Sequence, residues 1–299
     1  MTDCFNEADL PGSYQDADCA SLKAQRHYLI IFRAMLVAMV LSAVATWMSA
    51  SVISHQRIFS TVALVLGVGA FVSTFILKER KFEDTWYLGR AVAESVKTRA
   101  WSYMMAAQPY PLAKPPSEVD SAFIADIRKI VHEAPSITIV RAKGKTRDEI
   151  TAGMRKVRNS SLPERMTTYL SCRIIDQRDW YSDKSIANAN KESNIFVAVL
   201  CSQFVAAIVA LMGVINNYPV SGSASVLATI SSCFIAWLQV KKYQETAQAY
   251  SVASRELGLI AALAESITDE ANAAKFVEES ESAVSREHTL WIARRTSQL

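Results

Sequence analysis

Histidine, cysteine and glycine are scarce in this chain of 299 residues, and their scarcity argues against several kinds of chemistry. The four histidines are far apart and the five cysteines form no CxxC pair, so no metal site is expected. Gly144-Lys145-Thr146 is similar to the end of a phosphate-binding loop, but Ile139 stands where that loop needs its first glycine. Neither catalytic residues nor a cofactor are predicted, and the chain is not expected to be an enzyme.

Charged residues are absent from four long windows, although they make up 20% of the chain. Each window has about 20 residues, the length at which an α-helix crosses the roughly 30 Å apolar core of a bilayer. Helices buried in a soluble core rarely run so far without a charge. The sequence therefore predicts four transmembrane helices, at Ala34–Ile53, Ile58–Leu77, Ile195–Ile215 and Val220–Val240.

The four predicted spans pair into two hairpins, because only four residues separate the members of each pair. Lysine and arginine residues flank both hairpins where they begin and where they end, whereas the two links hold Arg57 alone. The positive-inside rule then places both ends of each hairpin, and both chain termini, in the cytoplasm.

The segment from the second span to about Ala107 is rich in Ala, Glu, Arg and Met, which favour helix. The predicted fold is all-α: a polytopic membrane protein whose two hairpins are extended by long cytosolic helices that pack as a bundle. The helix after the fourth span is predicted to continue directly from it. The predicted organisation is a solvated acidic tail at 1–20, a first two-transmembrane module with its cytosolic exit helix at 21–107, a cytosolic linker subdomain with a basic stretch at 108–162, and a second two-transmembrane module with cytosolic entry and exit helices at 163–299.

Five residues shortly after the second span, Lys81–Thr85, are nearly repeated 161 positions later at Lys242–Thr246, shortly after the fourth span. From each copy, small and aromatic residues recur at alternating steps of four and three, the pattern of helices packed side by side. We expect these stripes to form packed seams, and the two junctions to pass a cytosolic signal to the membrane. The seams begin with Phe82, Trp86 and Gly89 in the first copy and with Tyr243, Ala247 and Tyr250 in the second.

The spans carry no charge at their centres, which argues against a charge-coupled transporter. Small and hydroxylated residues share one face on the second and on the fourth span, and Gln203 is the most polar residue well inside the third. Such a face either packs helices closely or lines a water path in an oligomer, and the sequence leaves both open. The predicted pore or packing face comprises Ala63, Gly67, Ala70, Thr74, Gln203, Ser221, Ser225, Thr229 and Ser232.

Residues 141–165 hold eight basic residues against three acidic ones. Such a stretch is most often a solvated face. A sharper hypothesis is contact with anionic lipid headgroups or with a phosphorylated ligand. The residues predicted for that contact are Arg141, Lys143, Lys145, Arg147, Arg155, Lys156 and Arg158.

Aromatic and charged residues recur at fixed spacings on both sides of the spans. They lie in Tyr169-Leu-Ser-Cys-Arg173 and Asp176–Tyr181 before the third span, in Tyr250–Leu257 and Phe276–Arg295 after the fourth, and in Trp86–Lys97 after the second. These stretches resemble the SLATT family of bacterial two-helix membrane modules, and the resemblance covers roughly 21–107 and 163–299, as in a tandem member with two hairpins. Members of the family are associated with nucleotide-second-messenger and SLOG-domain conflict systems, and are proposed to supply their membrane-disrupting arm.

The resemblance and the two hairpins together predict an oligomeric pore-forming or ion-leak effector of the bacterial inner membrane. It would be gated from its cytosolic helices and would act in antiphage or other conflict defence. The expected partners are the lipid bilayer, further copies of the chain and a cytosolic signalling ligand or sensor protein, and no nucleic acid is expected. Two alternatives stay open: a constitutive ion channel with a housekeeping role, and a non-conducting membrane scaffold.

Overall fold

A computed structural model of the chain describes residues 5–133, 148–216, 220–264 and 267–296, without the side chains of residues 221 and 285–296. Every regular element within these ranges is helical, which confirms the all-α prediction. A π-helical turn at Leu170–Ile175 joins the sixth helix to the seventh. The α-helices of the described ranges are α1 Gly12–Ser51, α2 Gln56–Glu79, α3 Phe82–Met104, α4 Pro116–His132, α5 Ala152–Arg158, α6 Leu162–Tyr169, α7 Asp176–Asn216, α8 Ser221–Lys241, α9 Tyr243–Leu263 and α10 Glu270–Thr296.

The four predicted spans lie in α1, α2, α7 and α8, and each is long and apolar enough to cross a membrane. Their apolar side chains are mostly exposed, because only 6% of the apolar window is buried in the span of α2 and in that of α7. Phe71 is 73% exposed and Phe204 is 68% exposed. Apolar surface of this extent is unfavourable in water and is matched by lipid. The chain is a multi-pass membrane protein with four spans, as predicted.

The chain divides into two compact units. The core unit comprises Met1–Gln25, Glu83–Ser185 and Gln248–Leu299, and the membrane unit comprises Arg26–Phe82 and Ile186–Ala247. Helices α1, α7 and α9 each contribute residues to both units. The spans therefore belong to the membrane unit, and the main cluster of buried apolar side chains belongs to the core unit.

Buried aromatic rings hold the core unit together. Trp101 is 2% exposed and meets Tyr169 edge to face, with 5.6 Å between the ring centroids. Tyr103, Tyr110 and Phe123 form a second group whose ring centroids are 4.9 to 6.0 Å apart. Rings of this size bury large apolar areas and add favourable edge-to-face contacts. Because the rings come from α3, α4, α6 and the turn after α3, much of the predicted linker subdomain at 108–162 is part of the core unit.

The first 20 residues are not the solvated tail that their acidic composition suggested. Leu10, Tyr14 and Ala17 are 1%, 6% and 0% exposed, and α1 begins within this segment. The acidic residues are not all free in solvent either, because Asp18 pairs with Arg90 of α3 at 3.7 Å. Tyr14 and Ala17 are three positions apart and lie on one face of α1, and Leu10 precedes that helix. Acidic residues dominate the composition of the segment, so composition alone did not reveal the buried residues.

Two helix junctions each contain a lysine in the left-handed conformation. Lys81 has φ 44° between α2 and α3, and Lys242 has φ 45° between α8 and α9. This conformation ends a helix, and it costs an ordinary L-residue about 1–2 kcal/mol. The prediction that the helix after the fourth span continues directly from it is therefore wrong. The two lysines occupy equivalent positions of the 161-residue repeat, so the repeat extends to backbone conformation.

Lys242→Gly is expected to raise the free energy of unfolding by up to about 1 kcal/mol, because glycine adopts a positive φ without steric strain. Lys241→Gly is the matched control, since Lys241 lies in the last turn of α8 and glycine there should lower the same free energy by a similar amount. Thermal unfolding of the purified chain in detergent, followed by circular dichroism, measures both changes. Equal destabilisation by the two variants would contradict the strain assigned to Lys242.

Candidate functional site

The membrane unit contains a large cleft among α1, α2 and α8, with a volume of about 1180 Å³. On α1 its wall runs from Met39 to Ser51, twelve positions that correspond to about 18 Å of helix. That is more than half of the roughly 30 Å apolar core of a bilayer. Among the residues described, none that lines the cleft is Asp, Glu, Lys or Arg. The cleft is therefore an uncharged space within the spans.

The cleft brings together parts of two predicted faces. Gly67, Ala70 and Thr74 line it from α2, and Ser225 and Thr229 line it from α8. These residues come from different hairpins, so the small and hydroxylated faces of the second and fourth spans meet at one space. Of the other predicted members, Ala63, Gln203 and Ser232 do not line the cleft, and the side chain of Ser221 lies outside the described residues.

Helix α1 supplies a third wall that was absent from the predicted face. Ser42, Thr46 and Ser51 line the cleft there, and Ser42 Oγ donates a hydrogen bond to Ala63 O of α2 at 2.9 Å. The pattern was present in the sequence, because Ser42, Thr46 and Ala50 follow at steps of four and so share one helix face. Their pairing with α2 depends on tertiary packing, which the spacing alone does not specify.

At one end of the cleft, the loop end, α1 ends and α8 begins. The indole ring of Trp47 packs directly against Gly222 near the start of α8. A Cβ added at Gly222 would clash with that ring, so glycine is what permits the close approach. The loop end is thus held by a contact between the first and fourth spans.

At the opposite end, the junction end, α1 again packs directly on α8. Cys233 Sγ lies 3.8 Å from Leu36 O, and the ring centroids of Phe32 and Trp237 are 6.3 Å apart. The guanidinium carbon of Arg33 lies 4.8 Å from the centroid of the Trp237 ring, within range of a cation–π interaction. These contacts bring α1 and α8 together at the junction end, beyond the residues that line the cleft.

Trp237 also contacts the residue that follows the left-handed break at Lys242. Its Nε1 donates a hydrogen bond to Tyr243 Oη at 3.3 Å, and Lys241 Nζ lies 5.7 Å from the centroid of the Tyr243 ring. Tyr243 is buried and is the first residue of α9. A change in the backbone at Lys242 would move Tyr243 relative to Trp237. The predicted junction residue Tyr243 is therefore bonded to the side chain that holds the junction end.

The first predicted seam packs against α1. Gly89 lies so close to that helix that an added Cβ would be 3.1 Å from both Ala17 O and Ser21 Cβ. Ser21 Oγ donates a hydrogen bond to Trp86 O at 2.9 Å, and Trp86 is itself buried. Phe82, at the start of the seam, meets His27 with 5.8 Å between ring centroids. The small residue at position 89 therefore does permit close approach, to the first helix of the same hairpin.

The second predicted seam packs against α7 in an equivalent way. Tyr250 meets the rings of Trp180 and Tyr181 at 5.4 and 5.1 Å between centroids. One turn further along, Ser254 Oγ donates to Arg178 O at 3.1 Å. Ala247 is buried. In each half of the repeat, the helix after the hairpin packs on the helix before it.

A fully buried ion pair joins the π-helical turn to α10 in the core unit. The side chains of Arg173 and Glu281 are 0% and 2% exposed. Arg173 donates to the two carboxylate oxygens of Glu281 through Nε at 2.9 Å and Nη2 at 2.8 Å, and to Gln177 Oε1 through Nη1 at 2.9 Å. Tyr169 Oη donates to the same carboxylate at 3.0 Å. The charges are thus paired and hydrogen-bonded, as buried charges must be.

The protonation states of this cluster follow from its burial and from the carboxylate. Burial is the largest single influence on the pKa of Arg173 and lowers it, but the charge of Glu281, the hydrogen bonds to its carboxylate and smaller contributions from Glu94 and Tyr169 together raise it further, so Arg173 stays charged. Burial together with the Glu281 charge holds the pKa of Tyr169 well above its ordinary value, so its hydroxyl stays a donor. Tyr169 and Arg173 carried the family resemblance. Their pairing with a residue more than 100 positions away could not be predicted from spacing.

Two of the predicted basic contact residues are engaged within the core unit. Arg158 is 8% exposed, its Nη2 donates to Tyr110 O at 2.9 Å, and its guanidinium carbon lies 4.8 Å from the Tyr103 ring centroid. Arg155 pairs with Asp120 at 2.8 Å. Burial therefore removes Arg158 from the predicted lipid or phosphate contact, and Arg155 is already paired. Of the others, Lys156 is exposed, while Arg141, Lys143, Lys145 and Arg147 lie outside the described residues.

Two family models match the chain in tandem. The model for SMODS and SLOG-associating 2TM effector domain 3 matches residues 11–166, and the model for SMODS and SLOG-associating 2TM effector domain 1 matches residues 169–291. The first match includes residues 108–162, and each match contains one hairpin. No curated protein and no solved structure matches the chain significantly. Because the first match alone covers more than half of the chain and the second follows it directly, the chain belongs to the SLATT family as a tandem member with two hairpins.

Proposed function

We propose that this chain is a non-enzymatic effector that opens an ion-conducting path or leak in the bacterial inner membrane during conflict defence, such as defence against phage. Family membership supports the setting, because its two matches are to two-transmembrane effector domains associated with SMODS and SLOG domains. The observation that carries the proposal is the uncharged cleft of about 1180 Å³ in the membrane unit, beyond which Trp237 packs on α1 at the junction end.

The lining of the cleft suits water and dissolved ions. A cavity lined only by apolar groups stays dry, whereas a water molecule needs two to four polar partners. Hydroxyl groups supply such partners along all three walls without placing a charge in the spans. Among the residues that the structure describes, those that line the cleft and carry a hydroxyl are Ser42, Thr46, Ser51, Thr74, Ser223, Ser225 and Thr229.

The described part of the chain does not enclose the cleft, because the described residues that line it belong to three helices and to Val220 just before α8. A continuous water path across a membrane needs walls all round, since lipid would otherwise fill the open side. A further copy of the chain would supply the missing wall. The proposed conducting form is therefore a homo-oligomer in the lipid bilayer, and the single chain carries part of its lining.

Gating is proposed to act through α9 and Lys242. The first five residues of α9 belong to the membrane unit and the rest belong to the core unit. A cytosolic ligand or sensor protein that shifts α9 would act on the left-handed Lys242, and through Tyr243 on Trp237. Releasing Trp237 from Phe32 and Arg33 would part α1 from α8 and extend the cleft to the junction end. The proposed topology places both termini, and the triggering signal, in the cytoplasm.

Filling the cleft is expected to block conduction, and two glycines of α2 offer a matched pair for that test. An added Cβ at Gly67 points toward Ser42 at 3.8 Å, on the wall of the cleft, whereas nothing lies within 4 Å of one at Gly69. Gly67→Phe should abolish ion flux, and Gly69→Phe should leave it within about twofold, because a lipid-facing phenylalanine changes little. Both variants are made in a Trp237→Ala background, which frees the junction end. The purified chains are placed in vesicles, and the ion flux into the vesicles is measured.

The same vesicles distinguish the alternatives. Vesicles that stay tight with the wild-type chain and with Trp237→Ala would support a non-conducting scaffold instead. A wild-type chain that leaks as fast as Trp237→Ala would support a constitutive channel. Equal block by Gly67→Phe and Gly69→Phe would show that ions do not pass through this cleft.

A further inference from the structure

We infer that the cleft selects monovalent cations over anions, an inference that rests on the proposed conduction through it. Its basis is the direction of the hydrogen bonds that the lining hydroxyl groups make. A hydroxyl has one proton, and once that proton is donated the oxygen offers only its lone pairs to other neighbours. A wall of donating hydroxyls therefore presents partial negative charge to whatever fills the cleft.

Among the described residues that line the cleft, six hydroxyl groups donate their proton to a backbone carbonyl. Ser42 Oγ donates across to Ala63 O of α2 at 2.9 Å. A carbonyl oxygen can only accept, so the direction of each bond is fixed by chemistry. The other five donate to carbonyls of their own helix: Thr46 to Ser42 O, Ser51 to Trp47 O, Ser223 to Val220 O and Thr229 to Ser225 O at 2.9 Å, and Thr74 to Ala70 O at 3.1 Å.

This wall offers ligands to cations and few donors to anions. Neutral oxygens can replace part of the hydration shell of an alkali ion, as carbonyl oxygens do in potassium channels. Chloride requires N–H or O–H donors in place of its water. Among the described lining side chains, Trp47 carries an indole N–H, and it packs at the loop end rather than along the length of the cleft. An anion would therefore lose hydration without adequate replacement.

The helix ends at the loop end do not reverse this preference. The first backbone N–H groups of α8 face that end and favour an anion, whereas the last carbonyl groups of α1 face it and favour a cation. The two partial charges are of opposite sign and of about half an elementary charge each, so they largely offset one another. Helix α2 also begins at this end, at Gln56, but its first residue on the cleft, Gly67, lies eleven positions further along, and the effect of a helix end falls off within about one turn. The hydroxyl oxygens along the rest of the cleft then decide the sign of the preferred ion.

The size and neutrality of the cleft allow it to distinguish cations from anions but not one monovalent cation from another. A volume of about 1180 Å³ holds tens of water molecules, so a passing ion keeps most of its hydration shell. Potassium and sodium should therefore pass at similar rates. Calcium sites depend on carboxylate oxygens, and the described lining contains none. The inferred cargo is thus a hydrated monovalent cation.

Planar-bilayer recording of the Trp237→Ala chain under a KCl gradient tests this inference. The reversal potential is expected to lie close to that of potassium, with potassium about ten times as permeable as chloride or more. Adding Thr46→Val and Thr229→Val together removes two lining oxygens with little change in side-chain volume. A contact between an oxygen and a charged ion stabilises the ion more than a neutral hydrogen bond would. Loss of such contacts should therefore lower the ratio of potassium to chloride permeability about tenfold. Thr61→Val is the matched control, since Thr61 of α2 donates to Arg57 O at 2.8 Å but does not line the cleft.

Each outcome of the recording bears on a different claim. A lower ratio in the Thr46 and Thr229 variant, together with an unchanged ratio in Thr61→Val, supports the inference. Currents carried mainly by chloride, a ratio near one, or a ratio indifferent to Thr46 and Thr229 overturn it while the proposed conduction stands. A bilayer that carries no current with any of these chains contradicts the proposed function and removes the inference with it.

Discussion

Glu281→Gln is expected to destabilise the core unit by about 3–5 kcal/mol, because it leaves the buried charge of Arg173 without its counterion. Arg173 is completely buried, and two of its N–H groups bond to the Glu281 carboxylate. Glutamine keeps the shape and one acceptor oxygen but removes the negative charge that offsets the desolvation of the guanidinium. Breaking one partner of a buried pair is for this reason far more damaging than replacing both.

Thermal unfolding of the full chain in detergent measures this effect, which should appear as a fall of roughly 10 °C in the melting temperature. Glu279→Gln, two positions earlier on α10, is the matched control. Glu279 pairs with Lys275 at 3.8 Å and is 69% exposed, so its loss should change the free energy of unfolding by less than about 0.5 kcal/mol. A double change of Arg173→Met and Glu281→Leu should recover much of the lost stability, because no unpaired charge remains. If the Glu281→Gln chain is as stable as the Glu279→Gln chain, Arg173 and Glu281 do not form a buried ion pair.

The spans were predictable because the physics that defines them is local. A run of about 20 residues without a charge satisfies its own backbone as a helix and matches the thickness of a bilayer. Nothing elsewhere in the chain needs to be known for that step. The small face on α2 was predictable for the same reason, and Gly67, Ala70 and Thr74 do line the cleft. Which other helices complete the cleft depends on packing, so the wall from α1 and the exclusion of Gln203 were not predictable.

Two other features depended on interactions between distant segments. Lysine favours helix, so no propensity predicts the left-handed breaks at Lys81 and Lys242. Local preference is overridden there by the packing of the helices on either side. Arg158 belongs to a basic stretch that would ordinarily be solvated, yet it bonds to carbonyl groups about 50 positions earlier in the chain. A composition-based prediction of its role failed because its partners come from the end of α3 and from the turn after it.

Trp237→Ala is expected to give a membrane that leaks without any trigger, because it removes the aromatic ring that holds α1 to α8 at the junction end. The ring meets Phe32 at 6.3 Å, lies under the Arg33 guanidinium at 4.8 Å, and donates a hydrogen bond to Tyr243 at 3.3 Å. Alanine loses all three contacts, whereas the contact between Cys233 Sγ and Leu36 O at this end stays in place. Loss of a few kcal/mol from a two-state closure changes the open population by two to three orders of magnitude.

Expression of Trp237→Ala should therefore arrest bacterial growth where the wild-type chain is tolerated, and vesicles that contain it should release trapped ions at least about tenfold faster. Phe204→Ala is the matched control, since Phe204 is also an aromatic residue within a span but is 68% exposed and does not line the cleft. Trp237→Phe separates the contacts, because phenylalanine keeps the ring for Arg33 and Phe32 but cannot donate to Tyr243. A leak from Trp237→Phe between those of the wild-type chain and Trp237→Ala would show that the hydrogen bond to Tyr243 of α9 contributes part of the free energy of closure. That result would support gating through Lys242. If Trp237→Ala is as tight and as harmless as Phe204→Ala, the junction end is not the gate.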